Sequence, residues 1–263
     1  MLYFRARNNT YKRVKPQGVL FFEESTGGSV LYYHNSPAGE SGEGSLTAFR
    51  KGFRMRVGNP MVKSLGEEEE PYPGVQHTCL LKNATRFTNN SRTLPETPCP
   101  EGVLTTVFFP GCWDGKQLDS ADHISHLYYP RDAELGPGWQ TYPCPASHPV
   151  RIPQIIMETS WNTRPFNDPS IWPEDELQPF VWSHGDNLGY GFHADYLFGW
   201  KGNALQEVFD CEKKGGEGCG SLAQLEAGSV ARANLCTKEQ MVVEELDEWV
   251  TSLPGDSMAR SGR

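Results

Sequence analysis

Three stretches of this chain concentrate side chains that can move protons or hold a polar ligand. The first is Phe108-Phe109-Pro110-Gly111-Cys112-Trp113-Asp114-Gly115-Lys116-Gln117-Leu118-Asp119-Ser120-Ala121-Asp122-His123-Ile124-Ser125-His126. An apolar run enters a glycine-containing loop with three Asp and two His, and loops at strand ends carry function more often than strands do. His123 and His126, three apart, could present two imidazoles to a metal or a substrate. The competing reading is that the Asp and Ser side chains satisfy the loop's own backbone while the His pack beneath it.

The second stretch is Cys144-Pro145-Ala146-Ser147-His148-Pro149-Val150-Arg151-Ile152-Pro153-Gln154-Ile155-Ile156-Met157-Glu158. A strand here has period two and places Gln154, Ile156 and Glu158 on one face, the wetter one. Glu158 could serve as a general acid or base if partly desolvated, or be a carboxylate paired with an Arg such as Arg151. His148, beside a proline, reads as structural.

The third stretch runs from Trp182 to Trp200 and contains His184-Gly185-Asp186, Gly189-Tyr190-Gly191-Phe192-His193-Ala194-Asp195 and Tyr196. His193 and Asp195, two apart on a strand, share a face, where the carboxylate could orient the imidazole. Tyr190, Tyr196 and Trp200 offer flat surfaces for a sugar ring, against the plainer reading of aromatic core. The glycines allow close backbone approach. They make a poor phosphate cradle, because no Lys sits in the loop and no helix follows it directly. No Gly-x-Ser-x-Gly elbow and no His-Glu-x-x-His occurs, which disfavours a serine hydrolase and a zincin.

The elements that must position these groups read mostly as strands. Leu2–Arg7 and Tyr11–Val14 flank an Asn-Asn-Thr turn as a hairpin, followed by strands at Gly18–Glu23 and Ser29–His34. Phe49–Val57 alternates Phe49, Phe53, Met55 and Val57 with Arg50, Arg54 and Arg56, a strand with one wet face. Residues 58–102 read mostly as loop, with an acidic run at Glu67–Glu70. Strong strand signals follow at Val103–Phe109, Ile152–Thr159, Phe180–Ser183 and Tyr190–Trp200. Ala204–Cys211 and Met241–Leu253 have helical periodicity, the second with a capping box at Thr237 and Gln240 and a stop at Pro254-Gly255. The expected fold is mainly β, a single antiparallel β-sandwich or jelly-roll-like domain over 1–255. Short C-terminal helices and a polar tail at 256–263 complete it.

Composition agrees. The 27 Gly and 20 Pro of 263 residues disfavour helix, and 13 Phe, 10 Tyr and 7 Trp supply a core. With 24 Lys+Arg against 33 Asp+Glu, the net charge of −9 argues against nucleic acid or an anionic membrane as partner. No apolar run reaches the length of a membrane span. Seven Cys, none in a C-x-x-C, lie in Pro/Gly-rich loops. Sequons occur at Asn8, Asn83 and Asn89. Together they point to the secretory pathway.

The first stretch, His148-Pro149-Val150-Arg151-Ile152-Pro153-Gln154, Gly189–Trp200, Phe53–Pro60 and Leu2–Asn8 together resemble the fungal domain-of-unknown-function family 1996, over residues 2 to about 255. Members are typically secreted fungal proteins, sometimes joined to a carbohydrate-binding WSC module, which implies work at walls or polysaccharides. They usually open with a signal peptide and a segment of closely spaced histidines. The resemblance therefore implies that this chain begins part-way into the domain. That earlier segment could hold the partner of the odd cysteine.

Order and spacing suggest disulfides Cys79–Cys99, Cys112–Cys144 and Cys211–Cys236, with Cys219 an alternative to Cys211. The leading function is a carbohydrate-active extracellular hydrolase or lyase. His123, His126, Glu158, His193 and Asp195 would supply acid/base groups, and Trp113, Tyr190 and Trp200 a stacking platform. Asp114 and Asp122 complete the pool of carboxyls. The alternatives are a non-catalytic wall-binding domain and a metalloprotein using His123, His126 and His193. A monomer without cofactor is expected.

Overall fold

The computed structural model describes residues 1–18, 27–34, 46–62, 74–82, 89–129, 143–174, 178–213, 219, 228–235, 239, 241 and 247–254. The chain opens with the expected hairpin, β1 (Leu2–Arg5) and β2 (Tyr11–Arg13), and continues through β3 (Pro16–Gln17) and β4 (Ser29–His34). Next come β5 (Arg54–Val57), β6 (Val75–Cys79), β7 (Asn90–Ser91) and β8 (Val103–Phe108). Short strands β9 (Cys112–Trp113), β10 (Leu127–Tyr128) and β11 (Val150–Arg151) precede the long β12 (Gln154–Trp161). The rest are β13 (Phe180–Trp182), β14 (Ala194–Leu197), α1 (Ala204–Lys213), α2 (Val230–Leu235) and β15 (Trp249–Val250).

Among the described residues all pairings are antiparallel and form four sheets. The largest has the order β3-β12-β8-β6-β7, with β4 also paired to β12. The others are β13-β1-β2-β15, β10-β9-β11 and β14-β5. Because side chains alternate along a strand, the register assigns the faces of the large sheet. Val75, Val107 and Met157 share one face with Cys79, Val103 and Trp161. Two apolar clusters cover that face. At one end Leu2, Phe4, Phe180 and Trp182 pack on Val103 and Trp161, and at the other Met55, Val57, Ala194 and Tyr196 pack on Val75, Val107 and Ile155. Half-buried Phe192 touches both clusters. The result is the expected mainly-β sandwich of stacked antiparallel sheets.

Several expectations are corrected. The span 58–102 contains a buried strand, β6, whose Gln76, His77 and Thr78 are no more than 5% exposed. Its polar sequence hides it; the β8 edge supplies its ladder bonds. Only Arg54–Val57 of the strand expected at 49–57 is extended, because a Phe53 N–H···O=C Arg50 turn closes the segment before it. Trp249 and Val250 belong to a strand paired with β2, not to a helix; residues 242–246, Thr237 and Gln240 lie outside the described residues. The strand expected at Gly18–Glu23 and the Glu67–Glu70 run also lie mostly or wholly outside them. Gln154 and Glu158 are not on a wet face: both are buried on β12, an inner strand flanked by β8 on one side and by β4 and β3 on the other.

Disulfides join Cys79 to Cys99 and Cys112 to Cys144, as the order suggests. The third joins Cys211 to Cys219, not Cys211 or Cys219 to Cys236, because the end of α1 carries Cys211 within 5.7 Å (Cα to Cα) of Cys219. Cys236 lies outside the described residues. Peptide mapping of non-reduced protein is expected to recover Cys211 cross-linked to Cys219. Replacing Cys112 and Cys144 together by Ala, which opens a loop with a separation of 32 residues, is expected to cost about 4 kcal/mol in chemical unfolding.

Candidate functional site

The site is built on the two-stranded sheet β14-β5. Asp195 lies opposite Arg56, and Leu197 opposite Arg54. Met55, Val57, Ala194 and Tyr196 point into the core, so Arg54, Arg56, Asp195 and Leu197 form the outer face. The other edge of β5 is closed by the 118–126 loop. The Arg54 and Arg56 amides donate to the carbonyls of Leu118 (3.0 Å) and His123 (2.9 Å).

His126 nails that loop down. Its ring is fully buried against Phe53, and Nε2 donates to the Arg54 carbonyl at 2.9 Å. The Ser120 hydroxyl oxygen lies 2.7 Å from both His126 Nδ1 and Asp122 Oδ1. Burial pulls the His126 pKa down, against the opposing pull of the Arg54 carbonyl and nearby Asp charges. Asp122 accepts from the Ser125 amide, the Ser120 hydroxyl and the Ile124 amide, which hold its carboxyl far below the usual range. At Asp114 burial pushes upward, but the Lys116 and Gln117 amides and the Gln117 side chain outweigh it and lower the pKa. Asp114 and Asp122 are thus acceptors for their own loop.

The groups left on the outside are two His–carboxylate pairs. Asp119 Oδ1 bonds to His123 Nδ1, and its Oδ2 lies 3.9 Å from Arg54 Nη1. A carboxylate only accepts, so His123 Nδ1 carries the proton and Nε2 is the nitrogen able to exchange one. At His193 the nitrogens are used the other way round: Nδ1 donates to the Gly191 carbonyl at 3.3 Å, and Nε2 lies 3.8 Å from Asp195 Oδ2. His123 also has φ +60°, a left-handed conformation otherwise found, among the described non-glycine residues, only at Asn9 and Asn89. For a His this is a strained state that its surroundings must hold.

Of the five acid/base candidates, the fold therefore gathers His123, His193 and Asp195 on one strip with Arg54, Arg56 and Asp119. His126 lies beneath the strip as its anchor, and Glu158 lies on the large sheet, between Thr106 and Val30 in register. The stacking platform is dispersed. Trp113 is buried against Phe53 beneath the Arg50 guanidinium, Trp200 packs edge-on to Tyr33, and Tyr190 is half-buried. Asp119 and the two arginines were legible only as loop and wet-face residues, because their role depends on the β5 edge.

The glycines of the third stretch serve an internal turn. Buried Asp186 accepts from the Leu188, Gly189 and Gly191 amides. Gly189 has φ +107°, and a Cβ there would lie 2.8 Å from His77 Nε2. His77, unsuspected in the sequence because its segment reads as loop, has no exposed surface. It accepts from the Thr105 hydroxyl at 3.1 Å and donates to the Gly189 carbonyl at 3.2 Å, between Trp182 and Phe192.

Among the described residues no group of three or more His, Cys, Asp or Glu could hold a metal ion, and no helix is long and apolar enough to cross a membrane. These features define a mainly-β, disulfide-bonded domain with a charged strip of paired His and carboxylates over one sheet. The chain belongs to the family described as domain of unknown function DUF1996, whose model matches residues 1–200. The match takes in the strip and stops before α1. No curated protein and no solved structure matches the chain.

Burial lowers the His77 pKa from 6.5 to about 4, with the Gly189 carbonyl and Asp186 opposing. The unfolded chain therefore binds the extra proton first as pH falls. Stability should be full above about pH 6.5 and fall between about 6.5 and 4, by roughly 3 kcal/mol in all, from this residue. Urea unfolding across that window should show the loss in the wild type and a shallower slope in His77→Gln.

Proposed function

We propose that the domain is a secreted fungal protein that cleaves acidic wall polysaccharide by β-elimination on the β5–β14 strip. The observation carrying this reading is the pairing of two oriented imidazoles, His123 and His193, with two arginines, Arg54 and Arg56, on one outer surface. The arginines would neutralise the uronate carboxylate and so acidify the adjacent C–H. One imidazole Nε2 takes that proton. The electron pair forms the C=C bond as the C–O bond to the neighbouring sugar breaks, and the second imidazole, entering protonated, gives its proton to the leaving oxygen. Wall association of the family supports the substrate class, and three disulfides suit an oxidising, extracellular setting.

A glycoside hydrolase fits less well. It needs two carboxyls a few ångströms apart across the bond. Asp114 and Asp122 serve their own loop and Glu158 is buried in another sheet, and the two carboxylates on the strip, Asp119 and Asp195, each face a histidine.

The test is release of unsaturated uronate from polygalacturonate by the full-length secreted protein, with neutral glucan as control. His123→Ala and His193→Ala should each lower turnover by about 10²–10⁴-fold. Unchanged turnover in both variants would sink the proposal. Pull-down on polygalacturonate without product, weakened in Arg56→Ala, would instead support non-catalytic binding. His123→Gly separates chemistry from structure: with strain of about 1 kcal/mol relieved, thermal stability should hold or rise while turnover falls.

A further inference from the structure

We propose that Asn8 carries an N-linked glycan whose first N-acetylglucosamine is seated in a groove of the folded domain, packed on the indole of Trp249. The inference rests on the reading that the chain passes through the secretory pathway. Asn8-Asn9-Thr10 forms the tip of the β1–β2 hairpin, with Asn8 exposed and Asn9 at φ +59°. Asn8 Oδ1 accepts from the Thr10 amide at 3.1 Å and the Thr10 hydroxyl at 2.7 Å. This fixes the side-chain amide by its oxygen and leaves Nδ2, the nitrogen that bears a glycan, directed away from the turn.

Beside it lies an open, mainly apolar groove of about 580 Å³, lined by Ala6, Arg7, Asn8, Thr10, Ile171 and Trp249 among others. The sequon is therefore part of the groove wall. The volume falls within the range of small-ligand sites and admits a sugar ring. Trp249 is 46% exposed, although its strand is paired to β2 and its ring meets the edge of Phe4 at 6.4 Å. An indole held rigidly with one side open presents the flat apolar surface that the C–H face of a pyranose covers. Arg7 is fixed at the rim by Glu174 at 3.2 Å and the Trp172 carbonyl at 3.4 Å, within reach of an acetamide oxygen. The contrast with the second described sequon is informative: at Asn89 the Ser91 hydroxyl bonds Thr93, and Ser91 is paired to His77 at the sheet edge.

In the transfer, Asn8 Nδ2 bonds to C1 of the sugar and loses one proton, while a lipid pyrophosphate leaves as the other product. That step occurs on the nascent chain, so the fold decides only where the sugar rests.

The experiment expresses the full chain in a eukaryotic secretory host and compares three forms of it: intact glycan, trimmed to a single N-acetylglucosamine, and sugar-free. Peptide mass should place a glycan on Asn8 and lose it in Asn8→Gln. The trimmed form should keep the melting temperature of the intact one, and the sugar-free form should melt about 2–4 °C lower. Acrylamide quenching of tryptophan fluorescence should rise on full removal in the wild type and not in Trp249→Phe, a variant that keeps an aromatic in the strand. An unmodified Asn8 in secreted protein, or quenching that rises equally in Trp249→Phe, would overturn the proposal. Polyuronate turnover reads the β5–β14 strip, so failure there leaves these outcomes intact.

Discussion

The hydrogen bond from buried His126 to the Arg54 carbonyl holds the charged strip together, because it anchors the loop that closes an otherwise open edge of β5. A two-stranded sheet cannot pair its outer edge with itself. The 118–126 loop supplies the missing partner through the Leu118 and His123 carbonyls, and His126 fixes the loop from below. A buried carbonyl left without a donor costs about 1–3 kcal/mol, so the imidazole is a structural requirement as much as a sequence curiosity. With that edge closed, Asp119 and His123 are brought beside Arg54 and Arg56, and β14 on the opposite edge delivers Asp195, with His193 just before the strand. The two His of His-x-x-His thus do different work: one is buried beneath the loop, the other lies at the surface in a left-handed backbone state.

The large sheet shows the same economy with polar groups. Thr105 accepts the Trp161 indole N–H and donates to His77, which in turn donates to Gly189. On the opposite face Thr78 donates to Asn90, and Asn90 donates to Gln76. Such networks fix register, since a slip of one residue would strand each of these groups without its partner. They also tie the Gly189 turn to the sheet, and that turn leads through Gly191 and Phe192 to His193.

Where sequence and structure agree, the determining contacts are local or follow a strong pattern. The β1–β2 hairpin, the apolar run of β8 and the stripe of α1 were legible for that reason, as were the disulfides Cys79–Cys99 and Cys112–Cys144. So was the alternation that put Arg54 and Arg56 on the wet side of β5. Where they differ, the contact is long-range. Strand β6 has no apolar alternation and exists because β8 offers an edge. Trp249 looked helical by period, and pairing with β2, more than two hundred residues earlier, made it a strand. Glu158 looked half-wet by alternation, and β12 turned out to be an inner strand covered on both faces.

The amino-acid sequence alone determined a mainly-β, disulfide-bonded domain and named His123, His193 and Asp195, since residue types and period-two spacing are local properties. Only the tertiary structure decided that these three share a surface with Arg54 and Arg56, that His126 is an anchor, and that Glu158, Trp113 and Trp200 stand apart. Those outcomes depend on which strand edges meet and which faces are covered, and the spacing of residues along a chain does not encode them.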